Sequence, residues 1–131
     1  MGNKFEDDFT RWLDMALIED IPTEVEAFCF NLFSPACEEN VIFGIELIGA
    51  DSFDESHEDW ACFEVWEPKQ RYLFIPIEYS TDDWEICQLK MKQLIQSYLS
   101  SMNTNINVLK QHKAVAIGFV DGNLDLIWVK A

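Results

Sequence analysis

The chain has 131 residues, of which 49% are hydrophobic, and its 24 acidic and 9 basic residues give a formal net charge of −15. This hydrophobic content excludes a disordered chain, and the length is that of one domain. The excess of acids argues against direct binding to nucleic acid or to an anionic membrane, because both depend on Lys and Arg contacts with phosphate groups.

The first predicted element is an amphipathic helix over residues 5–17. Its apolar side chains recur at the spacing of one helix face. They are Phe5, Phe9, Trp12, Leu13, Ala16 and Leu17. Asn3, three residues before Glu6, is typical of a helix cap, and Ile21-Pro22 predicts that the helix has ended by that point.

Two runs rich in Phe, Ile, Leu and Val predict strands over residues 25–33 and 41–49, joined by a loop over residues 34–40. In the second run every other residue is large and apolar, whereas the alternate set contains Gly44 and Glu46. We therefore expect one apolar and one mixed face, of which at least the apolar face must be covered.

An acidic loop over residues 51–60 leads into a predicted strand over residues 61–68. Alternation from Trp60 places Trp60 and Trp66 on one face of that strand and Phe63 and Val65 on the other. The face with Phe63 and Val65 resembles a core face, which would leave both Trp side chains at the surface. The opposite arrangement, with both Trp residues in the core, stays open.

A further apolar run covers residues 72–79, and Pro76 within it favours an edge position or a bend. Ser80 or Thr81 is expected to cap a helix that runs to about Met102. Its predicted apolar stripe consists of Trp84, Cys87, Met91, Leu94, Ile95, Tyr98, Leu99 and Met102.

Residues 114–120 and 124–129 flank Asp121-Gly122-Asn123, which predicts a β-hairpin. Together the elements predict a single α+β domain over residues 1–131. We expect an antiparallel or mixed sheet of five to six strands with two main helices packed on it.

The acidic N-terminal segment lacks the basic start and apolar core of a secretory signal, and no apolar run is long enough to cross a bilayer, so we expect a cytoplasmic protein. The four cysteines are Cys29, Cys37, Cys62 and Cys87, at irregular spacings and without a CxxC pair. This spacing argues against a zinc or redox site, and Cys29, Cys62 and Cys87, which have apolar neighbours, are expected to be small buried side chains.

Charge is distributed unevenly along the chain. Residues 1–67 contain 18 acids and 2 bases, whereas residues 68–131 contain 6 acids and 7 bases. Acids interleaved with aromatic side chains suit the binding of a basic protein partner. The candidate partner-binding residues are Asp51, Asp54, Glu55, Glu58, Asp59, Trp60, Glu64, Trp66 and Glu67. The alternative is that these acids only keep the protein soluble, as in an adaptor module.

Residues 51–59 do not follow the calcium-binding EF-hand pattern, because Phe53 stands at the third position and the segment has no Gly. A small metal-binding domain remains a weaker alternative. No motif aligns a nucleophile or an acid with a base. We therefore expect no catalytic activity and no cofactor.

Four short segments carry a resemblance to a known group of proteins: residues 28–33, 45–49, 59–62 and 118–124. With its size, element order and acidity, the chain resembles small acidic bacterial immunity proteins, which are partners of polymorphic or contact-dependent toxins. The resemblance implies a cytosolic protein that binds a toxin domain, often a nuclease, and blocks its active site. Binding residues differ between members, so the resemblance assigns no residue a role.

Overall fold

The computed structural model describes residues 4–35, 41–120 and 122–130. The helices of these residues are α1 (Lys4–Leu17), α2 (Ile77–Ser80), α3 (Trp84–Leu99) and α4 (Ile106–Lys110), with a 3₁₀ helix at Glu58–Cys62. The strands are β1 (Ala27–Phe33), β2 (Val41–Ala50), β3 (Glu64–Trp66), β4 (Tyr72–Pro76), β5 (Ala114–Phe119) and β6 (Leu124–Val129).

The six strands form one open mixed sheet in the order β3, β2, β1, β5, β6, with β4 also paired to β2. Strands β1 and β5 run parallel, while the other pairs are antiparallel. The predicted α+β fold, with a mixed sheet and two main helices, is confirmed. The parallel pair makes the sheet mixed, and it joins segments more than 80 residues apart in the chain.

One side of the sheet, here called the first face, carries the main core. Phe28, Phe30 and Leu32 of β1 point into it and are fully buried. Helices α1 and α3 cover this face, and the predicted stripe of α1 is buried along its whole length. Phe9 and Trp12 of α1 contact the ring of Phe30 at centroid distances of 6.3 and 6.4 Å. The first predicted helix is therefore confirmed, although its expected Asn3 cap lies outside the described residues.

The opposite side of the sheet, the second face, has a smaller core, which small side chains line where β1 pairs with β5. Ala27 and Cys29 of β1 lie beside Ala114 and Ala116 of β5, and all four are fully buried. The small side chains leave room for a large one from above, and the indole of Trp60 fills that space.

The major helix begins and ends differently from the prediction. Asp83 is the N-cap of α3, accepting hydrogen bonds from the backbone N–H groups of Glu85 and Ile86. Ser80 instead ends α2, and Thr81 lies between the helices with φ at 58°. Because α3 ends at Leu99, the predicted stripe is wrong at Met102, and it is also wrong at Trp84, which is exposed.

Other elements were predicted in part. The strand over residues 61–68 is wrong in its first half, which is 3₁₀ helix, and β3 is only three residues long. The run over residues 72–79 is strand only to Pro76, and β4 is an edge strand as expected. The C-terminal hairpin is confirmed, whereas α4 carries no prediction. Residues 36–40 of the loop between β1 and β2 lie outside the described part of the chain.

Candidate functional site

In the structure the acidic loop is residues 51–59, one residue shorter than predicted, because Trp60 packs beneath it. The predicted partner-binding residues lie on and beside this loop, which crosses the second face of the sheet. Trp60, directly after the loop, is inserted between the loop and the small side chains of β1 and β5. Its ring meets that of Phe53 edge to face at 5.3 Å. The Asp51 N–H donates to the Phe63 carbonyl at 3.1 Å, which brings the two ends of the segment together. The loop is therefore fixed to the sheet by an indole.

Four of the predicted acids are exposed and make no ion pair in the described part of the chain: Asp51, Asp54, Glu55 and Asp59. Asp54 accepts the backbone N–H of Ser56 at 2.8 Å, a local turn contact that leaves its charge uncompensated. These four carboxylates are available to a basic partner.

The other three acids are used within the protein. Glu58 accepts the backbone N–H of Leu124 at 2.9 Å and so joins the loop to β6. Glu64 accepts two hydrogen bonds from the Arg71 guanidinium at 2.6 and 2.8 Å, and Glu67 accepts a third. Their first role is therefore structural.

Arg71 is the centre of a cluster with three carboxylates. Besides Glu64 and Glu67 it bonds Glu46 of β2 through Nε at 3.2 Å and Nη2 at 3.3 Å. The Asn31 amide donates to the same Glu46 carboxylate at 2.9 Å. Hydrogen bonds to Glu64 and the other carboxylates hold the pKa of Arg71 above its usual range despite partial burial. One guanidinium balances only one of three carboxylates, so the cluster keeps a net negative charge.

Trp60 and Trp66 do not lie at the surface. They are 3% and 9% exposed, whereas Phe63 is 54% exposed, so the predicted core face with Phe63 and Val65 is wrong. The alternation rule fails because the 3₁₀ helix extends to Cys62, and Trp66 then enters the main core against Phe28. Neither Trp is an exposed anchor for a partner.

Acids outside the loop also serve the fold. Asp14 of α1 accepts hydrogen bonds from the Tyr98 hydroxyl at 2.7 Å and from the Asn103 and Asn105 amides at 2.7 and 3.2 Å. Burial, followed by this bond to Asp14, raises the pKa of Tyr98 above its usual range. At least one acid of residues 1–67, Asp14, therefore serves to hold α1 in place.

The described cysteines are Cys29 and Cys87, which are buried, and Cys62, which is exposed, contrary to expectation. Burial, then the nearby charges of Glu46 and Cys62, raises the pKa of Cys29 to about 12. Burial alone raises the pKa of Cys87 to about 12. Both buried thiols are therefore protonated at neutral pH. No group of three His, Cys, Asp or Glu side chains suited to a metal ion occurs in residues 4–35, 41–120 and 122–130.

Sequence reasoning missed three aromatic side chains on the second face of the sheet, here called the aromatic platform: half-buried Phe33 of β1 and exposed Tyr72 and Phe74 of β4. In β4, Tyr72 and Phe74 alternate with Leu73 and Ile75, which pack into the main core. That alternation was the available signal, because strand residues next to inward-facing ones point outward.

Comparison with protein-family models, with curated proteins and with solved structures finds no match for this chain. Within the described ranges, no helix has the length and apolar character needed to cross a membrane.

Proposed function

We propose that this chain is a cytoplasmic bacterial immunity protein that binds a toxin domain through the acidic loop. The observation that carries the proposal is the set of four exposed carboxylates without ion pairs among the described residues: Asp51, Asp54, Glu55 and Asp59. The resemblance in size, acidity and element order to immunity proteins supplies the toxin as the class of partner.

The way the loop is held supports a binding role. Trp60 below the loop and the Glu58 bond to Leu124 fix its path across the sheet. A preorganised loop loses less conformational entropy when it binds than a mobile one. Exposed Phe63, bonded through its backbone to Asp51, adds an apolar contact beside the charges.

Electrostatics favour a basic target such as a nuclease. A nuclease holds phosphate groups in a basic cleft, and clustered carboxylates compete for such a cleft. Attraction between a chain of net charge −15 and a basic domain accelerates association and weakens with salt.

The test is a pull-down with the product of the adjacent gene, using a loop-reversed variant with Asp51, Asp54, Glu55 and Asp59 changed to Lys. A matched-reversed variant changes four other exposed acids. These are Asp7, Asp20, Glu24 and Glu78. Each variant shifts the formal net charge from −15 to −7.

We expect capture by the wild type and the matched-reversed variant, and loss of capture by the loop-reversed variant. No capture by the wild type at low salt would contradict the pairing with a toxin. It would favour the alternative of an acidic adaptor module that uses the same loop for another partner.

A further inference from the structure

The aromatic platform lies on the half of the second face that the acidic loop leaves open. Phe33 of β1 and Phe74 of β4 are both registered opposite Gly44 of β2, and Tyr72 is registered opposite Glu46. Directly opposed residues of antiparallel strands share a face. The three rings therefore lie together, beside the Glu46 carboxylate.

Gly44 allows this arrangement because it has no side chain. A Cβ at this position would lie 2.7 Å from Cζ of Phe33, so the Phe33 ring lies directly over the strand. The ring meets Tyr72 edge to face at 5.4 Å. Tyr72 and Phe74 are nevertheless 51% and 43% exposed, so about half of each of these two side chains is open to solvent.

Carboxylates lie next to the platform. Glu46, Glu64 and Glu67 share the Arg71 guanidinium, and Glu46 is registered opposite Tyr72. The Asn31 amide, which donates to Glu46, also lines a cavity of about 280 Å³ with Glu58 and Asp59 among others. Asn31 lies two residues before Phe33 on the same face of β1.

The surface already accommodates a guanidinium on an aromatic ring. Cζ of Arg71 lies 5.7 Å from the centroid of Tyr72, within the range of a cation–π contact. Arginine is suited to such a place because its planar group both stacks on rings and pairs with carboxylates. A second copy of this chain is disfavoured, since it would bring another net charge of −15.

We infer that the aromatic platform binds an arginine-bearing segment of the partner protein, with the guanidinium over the rings and paired to the bordering carboxylates. The inference rests on the proposed function, since it adds a second contact surface for the same basic partner. The aromatic platform, in place of the buried Trp60 and Trp66, is then the aromatic anchor for the partner.

The test uses a peptide probe, so that it does not depend on identifying the toxin. The ¹⁵N-labelled full chain is titrated with acetyl-Gly-Arg-Gly-Arg-Gly-amide and, separately, with the same peptide carrying Lys. The variant removes both exposed rings of β4 as Tyr72→Leu/Phe74→Leu. Trp84→Leu removes an exposed ring of α3 as the matched control.

We expect saturable amide shifts at Phe33, Tyr72 and Phe74, with the Arg peptide binding more tightly than the Lys peptide. The double variant should weaken Arg-peptide binding by about threefold or more, whereas Trp84→Leu should leave it unchanged. Shifts confined to the acidic loop would overturn the inference while leaving the proposed function intact. The inference would also be overturned if binding of the Arg peptide did not saturate, or if the double variant and Trp84→Leu bound it equally. Amide shifts at the platform on dilution of the chain without peptide would overturn it too, because they would indicate a second copy of the chain as the occupant.

Discussion

The Glu58 carboxylate accepts the backbone N–H of Leu124 at 2.9 Å, which ties the acidic loop to the first residue of β6. A carboxylate predicted as a partner contact thus holds the loop in place. Replacing Glu58 with Ala should lower the free energy of unfolding by about 1 kcal/mol, since a charged hydrogen bond to the backbone is lost. Urea denaturation measures the change. Glu55→Ala, an exposed control in the same loop, should change stability by less than about 0.5 kcal/mol.

Trp60 should contribute more to stability than any charge of the loop, because its indole fills the space above the small residues of β1 and β5. Trp60→Ala should cost about 3 kcal/mol or more, as the substitution leaves a cavity and releases the loop. Trp84→Ala, at an exposed position, should cost about 1 kcal/mol or less. Equal losses in urea denaturation would contradict this account of the second face.

Three glycines should differ in their tolerance of Ala. At Gly118 a Cβ would lie 2.6 Å from the Asn123 carbonyl oxygen, at Gly44 2.7 Å from the Phe33 ring, and at Gly122 no closer than 3.6 Å to any atom. A backbone oxygen yields less readily than a ring. We expect the largest loss of thermal stability for Gly118→Ala, a smaller loss for Gly44→Ala and little change for Gly122→Ala. A Gly44→Ala variant as stable as Gly122→Ala would contradict the close packing of Phe33 on Gly44.

Arg71 should stabilise the fold chiefly by neutralising its carboxylates. Arg71→Met leaves Glu46, Glu64 and Glu67 without a cation, and should cost about 2 kcal/mol at low ionic strength. The deficit relative to the wild type should shrink in 1 M salt, because repulsion among partly exposed carboxylates is screened. Chemical denaturation at two salt concentrations measures this. A deficit independent of salt would indicate that the guanidinium acts by packing alone.

Alkaline pH should destabilise the protein through four buried groups. Burial raises the pKa of Cys29 and Cys87 from 9.0 to about 12. It also raises the pKa of Tyr79 and Tyr98 above the usual 10.0, aided by bonds to Glu6 and Asp14. A raised pKa means that the folded state keeps protons that the unfolded state releases, so stability is complete below about pH 9 and falls as pH rises towards 12.

The measurement for this prediction is the melting temperature between pH 8 and pH 11, which should fall steadily above about pH 9. Tyr98→Phe should make the decline shallower, because one titrating group is removed. A melting temperature that stays level to pH 11 would contradict the burial of these hydroxyl and thiol groups.

Local sequence patterns predicted those elements whose buried side chains are determined by residues close in sequence. The stripe of α1 and the hairpin of β5 and β6 follow from spacing within each segment, and both are confirmed. The burial of Trp60 depends instead on Ala27 and Ala114, which are distant in sequence and meet only because β1 pairs with β5. No alternation rule applied to residues 60–66 contains that information.

The candidate site also has a part that local sequence predicts and a part that it does not. The exposure of Asp54 and Glu55 is expected from the polar segment around them. The hydrogen bond between Glu46 and Arg71 is not expected, because it links residues 25 positions apart. In the aromatic platform the ring of Phe33 contacts that of Tyr72, and the two residues meet only because β1 and β4 both pair with β2. Long-range strand pairing therefore determines which acids are used internally and which remain available to a partner.

The most direct test of the central claim is the association rate constant with the adjacent-gene toxin domain, measured at low salt for the wild type and both reversed variants. The loop-reversed variant should associate at least about tenfold more slowly than the wild type, and the rate constant of the matched-reversed variant should change by less than about threefold. Equal slowing of the two variants would contradict binding through the acidic loop, because net charge would then govern the association rate.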